Sequence, residues 1–208
     1  APAEQGTRRK RLVTQILSAA RTVGRKYHYD ENHAERVREL SVRLFDELKT
    51  EQRMTETHRL YLEVAALLHD IGLFVGSRSH HKHSYYLISA SELFGLRKRE
   101  LELIANIARY HRRAMPQRSH VAYISLERDE RMIVSKLSAI LRVANALDKD
   151  HLQKTMDLKI SREGDQLVLT AQNVSDLTMG RLALASRSDF FTEVFGKKVI
   201  LREADRIE

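Results

Sequence analysis

A histidine and an aspartate stand side by side within an apolar run, AALLHDIGLF, as His69 and Asp70. A carboxylate buried without a partner is strongly destabilising, so we expect this pair to face a cation, a base or a phosphate-binding neighbour. Both side chains can bind a divalent cation, because neutral imidazole nitrogen and carboxylate oxygen are common metal ligands. The rest of the site must come from residues elsewhere in the sequence.

Two more polar residues lie on apolar helix faces. His33 precedes Val37 and Leu40 by four and seven positions, and Asn145 follows Leu141 by four, so both are predicted to face inward. Imidazole, carboxylate and amide oxygen together suit Mn²⁺, Fe²⁺, Ni²⁺, Zn²⁺ or Mg²⁺, although imidazole argues against Mg²⁺ alone. Each residue is also compatible with a hydrogen-bonded core position. The order of a histidine, a His-Asp pair and a later amide on a long helix favours a metal site.

Two short stretches, residues 77–84 and 109–113, are rich in groups that bind phosphate. The candidates are Arg78, His81, Lys82, His83, Arg109, His111, Arg112 and Arg113. Arginine can take two phosphate oxygens with its planar fork, and lysine or protonated histidine adds compact charge. His81, His83 and His111 can alternatively complete a metal site, and an exposed, solvated surface is the third interpretation.

The elements that must position these residues are mostly helices before Thr155. Apolar residues recur there at helical spacing, and only Pro2 and Pro116 interrupt the chain. The predicted helices run over about 12–23, ended by Gly24; from an N-cap at Asp30 through Leu44; over 57–71, ended by Gly72; over 85–94, before Gly95; over 97–110; and over 130–147.

After Thr155 the pattern becomes that of strands. DLKIS and QLVLTA alternate apolar and polar residues around REGD, which predicts a hairpin. Residues 177–195 are predicted to form a helix, and KKVILRE a closing strand. The predicted fold is therefore mostly α, with a helical domain over residues 1–154 and a small α+β domain over residues 155–208.

The positive charge of the chain, +8 in total, lies in the helical part. Residues 155–208 contain 8 Lys/Arg and 9 Asp/Glu, whereas residues 1–154 contain 28 and 19, a net charge of +9. A basic domain attracts polyanions such as nucleic acid, phosphorylated metabolites or inorganic phosphate chains. No recognisable nucleic-acid-reading motif accompanies this charge, which disfavours nucleic acid, and on charge alone a solvated basic surface is an equal interpretation.

The composition excludes several classes of protein. The sequence contains no cysteine, which excludes disulfides, thiolate metal sites and cysteine nucleophiles. No apolar run approaches the roughly 20 residues that span a bilayer, and the first residues lack the apolar stretch of a signal peptide. We therefore expect a cytoplasmic protein with no membrane segment. The chain begins with alanine rather than methionine, which suggests a processed product or a piece of a longer chain.

The order of His33, the His69–Asp70 pair and Asn145 resembles the HD-domain superfamily of metal-dependent phosphohydrolases. The core ligands of that superfamily are a histidine on one helix, a His-Asp pair on another and a distal aspartate. Here Asn145, in LRVANALD, stands where members with metal usually carry the aspartate. Asn145 is neutral and a poorer ligand, and Asp148, one turn later, is the alternative.

A narrower resemblance rests on the stretches LLHDIGLFVGSRSHHKHSYYLI, IARYHRRAM and SDFFTEVFGKKVILRE. They are similar to the C-terminal half of the Ppx/GppA family, the exopolyphosphatases and guanosine pentaphosphate phosphohydrolases. The resemblance covers essentially the whole chain and implies an HD-type helical bundle followed by a small α+β appendix. In that family, N-terminal actin-like domains carry the phosphate loops and the catalytic carboxylate, and nothing in this sequence matches them.

On this resemblance we expect the C-terminal portion of a hydrolase of the exopolyphosphatase type. It would bind inorganic polyphosphate or guanosine polyphosphate, form a homodimer, and leave catalysis mainly to the actin-like domains, with Mg²⁺ implied for the complete enzyme. No catalytic residue is assigned within this chain. The alternative is an autonomous metal-dependent HD phosphohydrolase acting on a nucleotide or other phosphoester, with metal held by His33, His69 and Asp70.

Overall fold

The computed structural model describes residues 2–149, 158–172 and 176–204. Its helices are α1 (Pro2–Lys26), α2 (Glu31–Leu48), α3 (Glu56–Leu68), α4 (His80–Ser89), α5 (Lys98–Arg109), α6 (Val121–Ile124), α7 (Arg128–Lys149), α8 (Thr178–Arg187) and α9 (Asp189–Phe195), and its strands are β1 (Leu158–Glu163), β2 (Gln166–Ala171) and β3 (Lys198–Glu203). A mostly α fold followed by a small α+β segment is therefore confirmed. The predicted boundary between residues 154 and 155 lies outside the described residues and stays a prediction.

The start of α2 is fixed by its N-cap, as predicted. The side chain of Asp30 accepts a hydrogen bond from the backbone N–H of His33 at 3.1 Å, which satisfies one of the free donors of the first turn. This cap places His33 in the first turn of α2. The preceding helix, α1, does not end at Gly24 but continues to Lys26. The ring of Tyr29 packs close to Gly24, where a Cβ would lie 2.6 Å from it, so a larger residue at position 24 would displace this ring.

The end of α3 differs from the prediction of a helix through residue 71. The helix ends at Leu68, His69 is its C-cap, and a 3-10 turn spans Ile71–Phe74. The reason is a tether from α4: the Ser84 hydroxyl donates to the carbonyl of His69 at 2.7 Å and accepts from the N–H of Gly72 at 2.8 Å. These two bonds take backbone groups that a longer α3 would use for itself.

The predicted helix over 85–94 is also shifted, since α4 runs over His80–Ser89. The residue before it, Ser79, has a left-handed backbone (φ 56°) and turns the chain into the helix. The packing of α4 against the 3-10 turn, rather than the spacing of its apolar residues, determines where this helix begins. The first turn of α4 therefore carries His80 and the basic residues that follow it.

The long helix α7 is the centre of the bundle. It packs against α2, α3, α5, α8 and α9, and its residues Val134, Leu137 and Ile140 are fully buried. The predicted helices over 97–110 and 130–147 agree with α5 and α7 to within two residues at each end. Because α7 contacts both α2 and α5, it can support residues carried by either one.

The C-terminal segment is a three-stranded sheet with two helices. Strands β1 and β2 form the predicted antiparallel hairpin, and β3 pairs parallel to β2, in the order β1-β2-β3. The helix predicted over 177–195 is instead two helices, α8 and α9, which meet at Ser188. The bend lets Phe190, Phe191 and Phe195 all become buried, and both helices pack against α7. Among the residues described, none of the helices combines the length and apolarity that crossing a bilayer requires.

The close contact at Gly72 makes a testable prediction. A Cβ there would lie 2.0 Å from the carbonyl oxygen of His80 and 2.4 Å from the backbone nitrogen of Ser84, so α4 would have to move. We expect Gly72→Ala to lower the free energy of unfolding by about 3 kcal/mol, measured by urea denaturation. Gly76→Ala is the control, because a Cβ there meets nothing within 4 Å, and it should change stability by less than about 0.5 kcal/mol. Equal effects of the two substitutions would contradict this account.

Candidate metal and phosphate site

The carboxylate of Asp70 lies between two pairs of histidines. Its Oδ2 is 3.5 Å from Nε2 of His33 and 3.3 Å from Nε2 of His69. Its Oδ1 is 3.0 Å from Nε2 of His80 and 3.1 Å from Nε2 of His111. We call His33, His69 and Asp70 the first triad, and Asp70, His80 and His111 the second triad. The two triads share one carboxylate, with one oxygen for each.

Four separate segments of the chain supply these five side chains. His33 lies in the first turn of α2, His69 caps α3, Asp70 follows it, His80 opens α4, and His111 comes two residues after α5. The four imidazoles are buried, and the side chain of Asp70 keeps 15% of its surface exposed. The centre is therefore enclosed by helix ends and reaches solvent at one side of Asp70.

Two of the histidines are oriented by the backbone just before them. Nδ1 of His69 is 2.6 Å from the carbonyl oxygen of Ala66, and Nδ1 of His111 is 2.6 Å from that of Ala108. A carbonyl oxygen only accepts, so the hydrogen-bond network assigns the proton to Nδ1 in each ring. Nε2, with its lone pair, then faces Asp70.

The other two histidines have different partners at Nδ1. His33 donates from Nδ1 to Oδ2 of Asp148 on α7 in a short hydrogen bond, and Arg36 donates to Oδ1 of the same carboxylate at 2.5 Å. Nδ1 of His80 is 3.3 Å from the carbonyl oxygen of Ser77, a longer contact than those of the other rings. His33, His69 and His111 thus each have a close acceptor behind Nδ1, whereas Nδ1 of His80 lies equally far from a carbonyl acceptor and from the donor Nη1 of Arg112, at 3.3 Å. All four rings direct Nε2 toward Asp70.

The electrostatics keep Asp70 ionised. Burial disfavours its charge, but the influence of His69 and the hydrogen bonds of His111 and His33 outweigh burial, so the pKa of Asp70 lies far below its ordinary value. Burial lowers the pKa of His111 to about 3, which leaves its ring neutral. For His33, burial is outweighed by the hydrogen bonds to Asp148 and Asp70, and its pKa rises to about 9. A cation at the first triad would therefore compete with a proton on His33.

The donor spacing fits divalent metal ions. Nε2 of His33 and His69 lie 3.2 Å apart, and Nε2 of His80 and His111 lie 3.1 Å apart. Ligands bound at about 2.0–2.1 Å in octahedral or tetrahedral geometry are separated by about 2.8–3.4 Å, so these distances match the edges of a coordination shell. Unprotonated imidazole nitrogens this close repel one another unless a proton or a cation lies between them. The ligating atoms of each triad lie within 4.8 Å of one another.

Asn145 and Asp148 on α7 are both buried and make different contacts around the triads. The amide of Asn145 donates to the carbonyl oxygen of His111 at 3.4 Å, and its Oδ1 is buried with no hydrogen-bond partner among the described residues. That free acceptor is compatible with a ligand role, so ligation by Asn145 stays a prediction. Asp148, the alternative ligand, uses both oxygens on His33 and Arg36 behind the first triad.

The loop that carries His111 is held by α7. Nη1 of Arg142 donates to the carbonyl oxygens of Tyr110 at 3.0 Å and Ala114 at 2.9 Å, on either side of His111. The guanidinium also lies over the ring of Phe190 in α9, 5.7 Å from its centroid. Burial lowers the pKa of Arg142 to about 10, a cost that the two carbonyl bonds offset. The C-terminal segment thus packs on the residue that fixes this loop.

Part of the predicted phosphate cluster forms one basic patch beside the second triad. Nη1 of Arg112 lies 3.3 Å from Nδ1 of His80. Burial, followed by the charges of His80, Arg109, Lys82 and Arg112, lowers the pKa of His81 to about 4, which shows that these groups act on one ring. We call Lys82, Arg109 and Arg112 the basic patch.

The remaining phosphate candidates are placed differently. Arg78 and Arg113 are exposed, His83 is half-buried, and none of the three hydrogen-bonds to the triads within the described part of the chain. His120, which the sequence did not single out, is close enough to Arg109 that this charge, after burial, lowers its pKa. His120 therefore borders the basic patch, whereas Arg78, His83 and Arg113 are not bonded to the triads within the described residues.

Sequence reasoning did not single out His80 as a candidate ligand. His80 lies within the basic stretch over residues 77–84, but the predicted start of α4 near residue 85 left it in a loop, and no apolar spacing marked it as buried. Arg36 was missed too, although its position one turn after His33 on α2 was a usable signal. The structure brings His33, His69 and Asp70 together and places His111 with Asp70 and His80, while metal ligation by these residues stays a prediction.

The sequence was also compared with known proteins. The family model Ppx/GppA phosphatase, domain III, matches residues 17–184. A guanosine-5'-triphosphate,3'-diphosphate pyrophosphatase of Aeromonas hydrophila is 29% identical over 149 residues, which are 70% of this chain and 29% of that protein. The proteins of the same name from Pseudoalteromonas translucida and Pseudoalteromonas atlantica are 34% and 27% identical, over 42% and 79% of this chain.

This chain spans less than a third of the length of those relatives, since the matches cover 18% and 32% of the two Pseudoalteromonas proteins. None of these matches bears on the HD-superfamily resemblance, which stays a prediction. Because the domain III model matches well over half of the sequence, the chain belongs to the Ppx/GppA phosphatase family.

Proposed function

We propose that this chain is the part of a Ppx/GppA phosphatase that binds the phosphate chain of inorganic polyphosphate or a guanosine polyphosphate. Hydrolysis of the phosphoanhydride would be carried out mainly by domains N-terminal to it. The observation that carries this proposal is the basic patch of Lys82, Arg109 and Arg112 beside the second triad. The family membership and the short coverage of the relatives support the division of labour.

Among the described residues, the cations of the basic patch have no carboxylate partner, whereas other cations of this protein form ion pairs. Arg38 and Arg59, for example, form ion pairs with Glu63 at 3.3 and 3.2 Å. Within the described residues, no carboxylate lies at ion-pair distance from any side chain of the patch, and Nε of Arg109 is buried without a hydrogen-bond partner. Clustered, unpaired cations repel one another, and a phosphate oxygen would relieve this repulsion and satisfy that donor.

The finer parts of the proposal follow from the family resemblance. The complete protein would be a cytoplasmic homodimer and a hydrolase of the exopolyphosphatase type that uses Mg²⁺. Inorganic polyphosphate and guanosine polyphosphates present the same phosphoanhydride to the same donors, so the patch is compatible with both.

The patch predicts how binding responds to substitution and to salt. We expect Arg112→Ala and Arg109→Ala each to weaken binding of a fluorescent polyphosphate about tenfold, because each removes a charge-assisted contact. Affinity should also fall steeply as salt rises from 50 to 200 mM, as expected for release of counterions. Fluorescence anisotropy measures both effects.

The control for these substitutions is Lys159→Ala, which removes one exposed charge from β1, outside the patch. It should change the affinity less than about twofold. Affinity that is indifferent to salt, or the same loss in all three variants, would contradict a specific role for the patch.

A second candidate function is metal-dependent hydrolysis of a nucleotide or other phosphoester at Asp70. The observation that favours it is the pair of triads sharing this carboxylate. A divalent ion there would supply a Lewis acid for a phosphoryl oxygen or a water molecule. The chain's own part would be to hold Nε2 of each ring inward through the Nδ1 contacts and to bind the phosphate with Arg112. A cavity of about 60 Å³ beside the first triad leaves room for solvent.

Metal binding is measurable without any substrate. We expect Mn²⁺ or Zn²⁺ at a hundred times its dissociation constant to stabilise the protein by about 2.7 kcal/mol and raise its melting temperature. Asp70→Asn should abolish this rise, since both triads lose their shared ligand. His58→Gln is the control, because His58 caps α3 away from the triads and should keep the rise.

Turnover separates the two candidates. Protein loaded with metal that hydrolyses phosphoesters, with loss of activity in Asp70→Asn, would support the autonomous enzyme. Loaded protein that binds polyphosphate but turns over no phosphoester would eliminate it and leave the binding role.

A further inference from the structure

Asp148 and Arg36 form a supporting pair behind only one of the two triads. Asp148 accepts from Nδ1 of His33, and Arg36 donates to both of its oxygens, at 2.5 and 3.3 Å. The Asp148 side chain is only 3% exposed. We infer that Asp148 is a positioning residue that makes the first triad the tighter of two unequal cation sites, so that this triad fills first. This inference rests on the proposed metal binding.

The four imidazoles differ in what stands behind them. His69 and His111 use neutral carbonyl oxygens at 2.6 Å, and His80 uses a carbonyl at 3.3 Å. Within the part of the chain that the structure describes, only the Nδ1 of His33 contacts a carboxylate. A charged acceptor makes a hydrogen bond roughly twice as strong as a neutral one, and it pushes electron density toward the opposite nitrogen. Nε2 of His33 is therefore the most basic of the four candidate ligands.

Arg36 stabilises the buried carboxylate of Asp148 behind His33. An isolated carboxylate at the depth of Asp148 would be costly, and the two-pronged contact from Arg36 offsets that cost. It also fixes the plane of the carboxylate, because both oxygens are engaged at once. The ring of His33 is thereby held at a single angle toward Asp70.

The second triad has features that oppose a cation. Arg112 lies 3.3 Å from Nδ1 of His80, and a guanidinium can only donate hydrogen bonds. When Nδ1 of His80 accepts from Arg112, the ring proton moves to Nε2, which then donates to Asp70 instead of binding a metal. The positive charge of the basic patch also lies on this side and repels a second ion. Both effects lower the affinity of the second triad and leave the first unchanged.

The test is a calorimetric titration of metal-free protein with Zn²⁺ alone. The wild-type protein should bind in two steps of different affinity. Asp148→Asn should weaken the tighter step by about 10–100-fold and leave the weaker step within about threefold, because the substitution acts through His33. Arg36→Gln should weaken the same step by less. Asp46→Asn is the matched control, since Asp46 lies on the same helix as His33 and pairs with Arg59 in a similar two-pronged contact away from the triads.

A spectroscopic signature distinguishes positioning from a general loss of structure. In zinc-loaded wild-type protein, the Nδ1 proton of His33 should give a downfield NMR signal, because it is buried and bound to a carboxylate. The signal should move upfield in Asp148→Asn and stay in place in Asp46→Asn. If Asp148→Asn fails to fold, the Arg36→Gln titration and its His33 signal decide the question.

The outcomes separate this inference from the proposed function. Wild-type protein that binds no Zn²⁺ would end both metal proposals. Two equal binding steps, a loss in Asp148→Asn that affects both steps alike, or the absence of a downfield His33 signal would overturn the inference while metal binding stands. The last result would point to Asp148 acting as a ligand itself.

Discussion

The arrangement of this protein depends on the sharing of one carboxylate, Asp70, between two pairs of imidazoles. Each oxygen faces two Nε2 atoms at 3.0–3.5 Å, which requires every ring to be held from behind at Nδ1. That requirement explains local features that otherwise look accidental. It accounts for the early end of α3, for the glycine at 72 that lets α4 approach, and for Ser84, which ties the two elements together. The same few residues therefore affect both the stability of the fold and the geometry of the candidate site.

Helix α7 connects the two halves of the centre. Asp148 at its end supports His33, while Arg142 and Asn145 hold the loop of His111 by its carbonyl oxygens. Arg142 in turn lies over Phe190, so the C-terminal helices contribute to the position of a histidine more than 70 residues earlier. The basic patch then borders only the second triad. A phosphate compound bound there would approach the centre from the side of His80 and Arg112.

The sequence predicted the features that local patterns determine. Helical spacing indicated a mostly α fold and an inward-facing His33, and the N-cap at Asp30 and the REGD hairpin were both found. What it missed depends on contacts distant in the chain. The start of α4 depends on its packing against the 3-10 turn, so the sequence pattern left His80 among loop residues. The role of Asp148 depends on a contact with a residue 115 positions away, which no local pattern shows. The division of residues 177–195 into two helices follows from packing against α7, which helical spacing alone does not specify.

The most direct measurement is an anomalous difference map from crystals grown with Mn²⁺ or Zn²⁺. The account predicts two peaks, each about 2.0–2.2 Å from a different oxygen of Asp70, one beside His33 and His69 and the other beside His80 and His111. At limiting metal, the peak beside His33 should be the stronger. Density on other residues, with Asp70 bound to no ion at saturating metal, would contradict the claim that this carboxylate organises the site.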